Sequence, residues 1–114
     1  MRLEDVRPLP LFDGLTDDQL LVVLEASEEI PFEPGMALWR EGDPAEFWWV
    51  LVEGTIDLVR RLGREETVLA RFDAPGRWAG GFRAWDDDGV YLATGRTTSV
   101  GRMLRVPAPV LGDL

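Results

Sequence analysis

From Ile30 onward the chain is cut at short, regular intervals by turn residues: Glu33-Pro34-Gly35, Glu41-Gly42-Asp43-Pro44, Glu53-Gly54, Leu62-Gly63-Arg64 and Ala74-Pro75-Gly76. The runs between them are short and rich in β-branched and aromatic residues. Short strands separated by Gly and Pro turns predict a β-sandwich or small barrel. Phe47 to Val52 is almost wholly apolar, as expected of a strand covered on both faces. Thr55 to Arg60 alternates, with Ile56 and Leu58 on one side and Asp57 on the other, and Gly54 turns between these two runs. Thr67–Phe72, Tyr91–Thr97 and Gly101–Val106 are the further strand candidates.

The residues before Ile30 follow a different period. Thr16-Asp17-Asp18-Gln19 has capping-box spacing, so that Thr16 caps the helix and Gln19 reaches back. Asp17 and Asp18 suit the positive end of the helix dipole. Leu20, Leu21, Val23 and Leu24 supply an apolar stripe, with Leu15 placed to staple onto Leu20. Glu25, Glu28 and Glu29 are unfavourable at a helix C-terminus, which puts the end near Ser27. Pro107 to Leu114 reads as the opening of a second helix, since proline is tolerated in a first turn. The whole therefore reads as one domain over 1–114: a helical lead-in at 1–29, a β-roll at 30–106 and the start of a trailing helix at 107–114.

Charge and residue inventory narrow the function. Twelve basic residues, all arginine, stand against twenty-one acidic ones, giving a net charge of −9. Such a surface is repelled by phosphate backbones and anionic lipid, so neither nucleic acid nor membrane is expected as a partner. There is no histidine and no cysteine, which removes imidazole metal sites, thiol chemistry and His-based triads. No enzyme activity, metal or cofactor is expected. No apolar run approaches the ~18 residues of a membrane span, and a cytoplasmic location is expected.

The densest motif runs from Gly76 to Thr97: a glycine turn, a turn's worth of helix, a loop and a strand. A glycine turn opening a short helix can cradle phosphate when backbone N–H groups converge on it and a nearby Arg supplies the countercharge. Here the loop reads Val90-Tyr91-Leu92 where that cation would stand. Asp86-Asp87-Asp88-Gly89 lacks the alternating ligands of a calcium loop and reads as a solvated turn.

Six strings in order, Leu11-Phe12-Asp13-Gly14-Leu15-Thr16, Pro34-Gly35, Glu41-Gly42-Asp43-Pro44-Ala45, Trp49-Val50-Leu51-Val52-Glu53-Gly54, Pro75-Gly76 and the Gly76–Thr97 cassette, together resemble the cyclic nucleotide-binding domain, the regulatory β-roll of catabolite-activator-like sensors. The resemblance implies a mainly β fold, an eight-stranded double-stranded β-helix or jelly roll with a leading helix, a short cassette helix and a trailing helix. It also implies a regulatory, ligand-sensing role.

In nucleotide-binding members the family pattern implies a Gly-Glu pair whose carboxylate takes the ribose hydroxyl, and an Arg that pairs with the cyclic phosphate. Laid on this sequence without gaps, the pair falls on Gly80 and Gly81, the Arg on Tyr91, its small neighbour on Leu92, and the start of the next strand on Ala93 and Thr94. Both charged ligands are missing, and Leu92 is expected to narrow the phosphate's space. The candidate pocket comprises Gly80, Gly81, Phe82, Arg83, Ala84, Tyr91, Leu92 and Ala93. The reading that follows is a degenerate sensor, not binding cyclic AMP or cyclic GMP tightly, whose partner is a small apolar ligand or a docked helix. The alternative is a working receptor in which Arg83 or Arg96 replaces the phosphate ligand.

Pro75 to Trp85 with Tyr91 and Arg96-Thr97-Thr98 looks like the version found at the N-terminus of some bacterial sensor histidine kinases. That likeness implies a downstream signalling domain such as a kinase, and the family also implies dimerisation through the trailing helix. Trp39, Trp48 and Trp49 are expected in the core, while Trp78 and Trp85 flank the glycine pair and either pack structurally or line an apolar pocket. A cupin-like metalloenzyme would share the β-helix but lacks its histidine ligands here.

Overall fold

The computed structural model describes residues 3–9, 12–80 and 89–112, with the side chains of 111 and 112 left out of account. The helices are α1 (Leu3–Val6), α2 (Asp17–Ala26) and α3 (Ala108–Gly112). The strands are β1 (Glu28–Phe32), β2 (Ala37–Trp39), β3 (Phe47–Glu53), β4 (Ile56–Leu62), β5 (Glu65–Phe72), β6 (Trp78–Gly80), β7 (Thr94–Thr97) and β8 (Gly101–Pro107). The strands form two antiparallel four-stranded sheets, ordered β1-β8-β3-β6 and β2-β7-β4-β5. The mainly β jelly roll that the family resemblance implied is the fold. The expected cassette helix would begin at Gly81, and residues 81–88 lie outside the described residues.

Helix α2 starts where its capping box requires: the Gln19 amide donates to Thr16 Oγ1 at 3.2 Å and the Thr16 amide donates to Gln19 Oε1 at 2.9 Å. It ends at Ala26, with Ser27 as the C-cap. Strand β1 begins two residues before Ile30, the expected boundary, and the reason is electrostatic. Glu28 and Glu29, unfavourable at a helix C-terminus, are taken into strand pairing opposite Arg105 and Leu104. There Glu28 meets Arg105 at 2.8 Å and Glu29 meets Arg102 at 2.7 Å.

Strand β3 is covered on both faces, and the two covers are different. Trp48 and Val50 face a cluster built with Val6, Phe12, Leu20 and Val23 from the N-terminal segments and Leu104 and Val106 from β8, with Leu15 packed against it. Trp49 and Leu51 face the opposite sheet, in a cluster with Phe32, Trp39, Ile56, Tyr91 and Met103. The apolar run at 47–52 thus reflects one strand serving two cores. Trp39, Trp48 and Trp49 are buried, as expected. The indole Nε1 of Trp48 donates to the Ala108 carbonyl at 3.4 Å, tying α3 to β3.

On β4, Asp57 faces outward and is held by Arg71 of β5 through bonds of 2.7 and 3.2 Å. The hydrogen bond from Arg71 holds the Asp57 carboxyl below its ordinary pKa, against the opposing effect of burial. The β4–β5 register shifts between Leu58 and Val59: Leu58 pairs with Ala70 and Val59 with Val68, leaving Leu69 as the extra residue of a bulge. A bulge re-aims the side chain it carries. Among the described residues no helix is long and apolar enough to cross a membrane.

Candidate functional site

The segment before β7 is fastened differently from the strand expected over Tyr91–Thr97. Strand β7 begins only at Thr94, where pairing with Val59 of β4 starts. Upstream, the Tyr91 amide donates to the Asp43 carbonyl at 3.0 Å and the Gly42 amide donates to the Tyr91 carbonyl at 2.9 Å. The Ala45 amide donates to the Gly89 carbonyl at 3.0 Å. Residues 89–91 are therefore bound to the Gly42–Ala45 turn, and Leu92 and Ala93 carry the chain across to β7.

This fastening turns Tyr91 inward. Its side chain is 5% exposed. The hydroxyl accepts from Trp49 Nε1 at 3.1 Å and from the Phe47 amide at 3.3 Å, and it lies 3.2 Å from the Phe47 carbonyl, to which it donates. Burial pushes the Tyr91 pKa up, partly offset by the bonds to Trp49 and Phe47, so the phenol stays neutral near pH 7. The ring lies 6.0 Å from that of Trp39, which in turn lies 5.2 Å from that of Trp49. The position where a phosphate-binding guanidinium was sought thus holds a core aromatic.

Gly80 ends β6 at a φ of +89° directly beside this ring. Gly80, Tyr91, Leu92 and Ala93 come together, with Trp39, Leu58, Leu69, Trp78 and Ala79, around a recess of about 270 Å³ bounded by residues of both sheets. Trp39, Tyr91 and Ala93 are its buried side, at most 7% exposed. Leu69 and Leu92 stand at its mouth, and Leu92 is 64% exposed. Trp78 borders it from β6, with its ring laid on Trp48 at 4.9 Å. The other predicted pocket residues, Gly81, Phe82, Arg83 and Ala84, lie outside the described residues.

Arg96 is elsewhere. Along β7, Gly95 and Thr97 are buried and face inward, and Arg96 faces the outer surface. There it forms a two-pronged pair with Glu66 at 2.9 and 3.0 Å, beside the Asp57–Arg71 pair. The hydrogen bond from Arg96 lowers the Glu66 pKa. Arg96 lines a separate, polar depression of about 160 Å³ with Arg40, Glu41, Arg61, Glu66 and Thr94. Among the described residues no group of three or more acidic side chains is gathered as a metal site.

The sequence reading missed Trp39, Leu58, Leu69 and Ala79 as lining residues. Gly95 was a usable signal for Trp39: the two are paired across β2 and β7, and an added Cβ would stand 2.4 Å from the Trp39 ring. Leu69 could not have been found from alternation, because the bulge that re-aims it breaks the period.

Two packed antiparallel sheets, helices on the outer face of one of them, and a ligand-sized recess walled by both define a regulatory jelly-roll domain. The chain belongs to the cyclic nucleotide-binding domain family, whose model matches residues 29–114. Among curated proteins none matches the sequence closely enough to count as a relative.

Solved structures share the fold over nearly the whole chain. The regulatory domain of Toxoplasma gondii PKA with cAMP is 22% identical with a TM-score of 0.83, over 97% of this chain and 42% of that one. The regulatory subunit of a cAMP-independent protein kinase A from Trypanosoma brucei is 20% identical with a TM-score of 0.82, over 93% of this chain and 39% of that one. The N-terminal domain of a transcriptional regulator from Streptomyces coelicolor A3(2) is 28% identical with a TM-score of 0.78, over 96% of this chain and 76% of that one.

Proposed function

We propose that this domain is a regulatory input module that keeps the cyclic nucleotide-binding fold, does not bind cyclic AMP or cyclic GMP tightly, and responds to an apolar occupant of its recess. The observation that carries the reading is Tyr91. The residue at the family's phosphate-arginine position is a neutral, buried phenol whose hydroxyl is committed to Trp49 and Phe47. By sequence alone, the family's carboxylate position falls on Gly81. Loss of a charge-assisted guanidinium–phosphate pair and a ribose hydrogen bond removes several kcal/mol, or about three decades of affinity.

The alternative receptor uses Arg83 or Arg96 as the substitute cation; Arg83 lies outside the described residues, and the pairing of Arg96 lends that reading no support. Arg96 would have to leave Glu66 and pass from the outer face of β7 to the inner one. Fold likeness does not decide between the readings, since one neighbour is described as holding cAMP and another as cAMP-independent.

In this reading the module sits in the cytoplasm and passes its state through the helix that opens at Ala108 to a downstream signalling domain such as a histidine kinase, with pairing of two copies along that helix. Calorimetric titration of the intact chain with cyclic AMP and cyclic GMP tests the central claim. No heat of binding at micromolar nucleotide is expected, and micromolar affinity for either would overturn it.

A further inference from the structure

The exposed apolar residues around the recess are grouped in a way that scattered surface residues are not. Leu69 and Leu92 are 53% and 64% exposed, and both border the same concavity. They come from separate places in the chain: a bulge on β5 and the segment before β7. A cluster of large apolar side chains left in water around one hollow marks a binding surface.

The chemistry of the lining restricts the occupant. None of its described side chains is ionised at neutral pH. Its side-chain heteroatoms are the Trp39 and Trp78 indole nitrogens and the Tyr91 hydroxyl, and that hydroxyl is held against Trp49 and Phe47. Among the described lining residues a charged ligand would find no counter-ion to offset its lost hydration, and an anion would also meet the field of a chain with a net charge of −9. The buried side of the recess ends in a short aromatic series, Trp39 and Tyr91, with centroids 6.0 Å apart. A further ring continues that series, since offset and tilted aromatic contacts are favourable at such spacings. Ala79, Gly80 and Ala93 leave room for it by carrying almost no side chain.

We infer that the recess between Trp39, Leu69 and Tyr91 binds one uncharged aromatic small molecule per chain. The ligand covers Leu69 and Leu92 as it seats against the buried rings. The inference rests on the reading that this site does not serve a cyclic nucleotide, and it adds the class of ligand that replaces one.

Fluorescence titration of the intact chain with N-phenyl-1-naphthylamine, an uncharged aromatic probe, tests it, read both from probe emission and from quenching of tryptophan. Saturation at one probe per chain is expected. Leu92→Asp and, separately, Leu69→Asp should each weaken binding by about tenfold or more, because either carboxylate stands at the mouth of an apolar site. Val22→Asp on α2, a site 53% exposed and outside the recess lining, should leave the titration unchanged. Far-UV circular dichroism confirms that each variant is folded, and two independent rim positions keep the test valid if one variant fails to fold.

Absence of saturable binding overturns the inference, as does equal binding by the two rim variants and the wild-type chain. Binding of many probes per chain overturns it too, and points to the rim as a surface for a protein helix. Cyclic AMP is added in a separate arm. If it displaces the probe, both this inference and the reading it rests on fall. If neither probe nor nucleotide binds, only the inference falls.

Discussion

The ring of Tyr91 occupies the space that a side chain on Gly80 would need: an added Cβ would stand 2.7 Å from Tyr91 Cε1 and 2.5 Å from the Phe47 carbonyl oxygen. Gly80 also has a φ of +89°, where L-residues with a Cβ are strained. The glycine that the family pattern associates with opening a phosphate cradle is thus held in this chain by the packing of a core aromatic. Gly80→Ala is expected to lower stability by about 1–3 kcal/mol or more, measured as the shift of the urea midpoint. An unchanged midpoint would mean that Tyr91 readily moves aside.

Removal of one oxygen tests the second half of that relationship. In Tyr91→Phe the buried Trp49 Nε1 loses its acceptor. Leaving such a donor unsatisfied costs about 1–3 kcal/mol. The expected outcome is a destabilised but folded protein with altered Trp49 emission, checked by denaturant titration followed through tryptophan fluorescence.

An arginine is tolerated at only one of two neighbouring positions. Tyr91→Arg would bury a guanidinium among Trp39, Trp49 and Phe47 in place of a neutral phenol, with Glu46 the acidic group near it, and the desolvation is expected to destabilise the variant strongly. Leu92→Arg places the same charge on a residue 64% exposed, where stability should change by no more than about 0.5 kcal/mol. Thermal melts of the two variants distinguish them. A phosphate-binding arginine is therefore better restored at 92 than at 91, together with Gly81→Glu.

Gly95 and Trp39 make a second close pair. An alanine at 95 would bring its Cβ to 2.4 Å from the Trp39 ring, and overpacking of this kind costs about 1–3 kcal/mol. Combining Gly95→Ala with Trp39→Leu should be less harmful than the sum of the two single changes, because the second relieves the collision made by the first. Strict additivity in a double-mutant cycle would contradict this.

Acid should loosen the outer face of the β2-β7-β4-β5 sheet through Asp57. Its folded-state pKa lies below the ordinary 3.8, first because Arg71 hydrogen-bonds the carboxylate. A depressed folded pKa contributes stability that is fully present above the unfolded value and is lost as pH falls through the folded one. Asp57→Asn should therefore show a shallower loss of stability than wild type as pH is lowered from about 5 to about 2, measured as urea midpoints against pH. Parallel curves for the two proteins would remove Asp57 as a contributor.

Local rules carried most of the secondary structure. The Thr16 capping box, the glycine and proline turns, the alternation at 56–58 and the apolar run at 47–52 each depend on a few consecutive residues, and each marks an element found in the fold. The order of the family strings carried the jelly roll. What local pattern could not carry was any feature made by residues far apart in the chain. The start of β1 at Glu28 is stabilised by Arg105, 77 residues away, and the bulge that turns Leu69 toward the recess follows from its pairing with β4.

The site divides along the same line. The sequence determined that a neutral aromatic stands where a phosphate-binding arginine was sought, because that is a matter of residue identity. Only the tertiary structure decided that Tyr91 packs into the core as the buried side of the recess, its hydroxyl committed to Trp49 and Phe47, and that Arg96 serves an outer ion pair. Side-chain direction depends on which distant backbone fastens each residue: Asp43 for Tyr91, and β4 for Arg96. Such contacts leave no period in the sequence, since they come into being only when the two sheets close on each other.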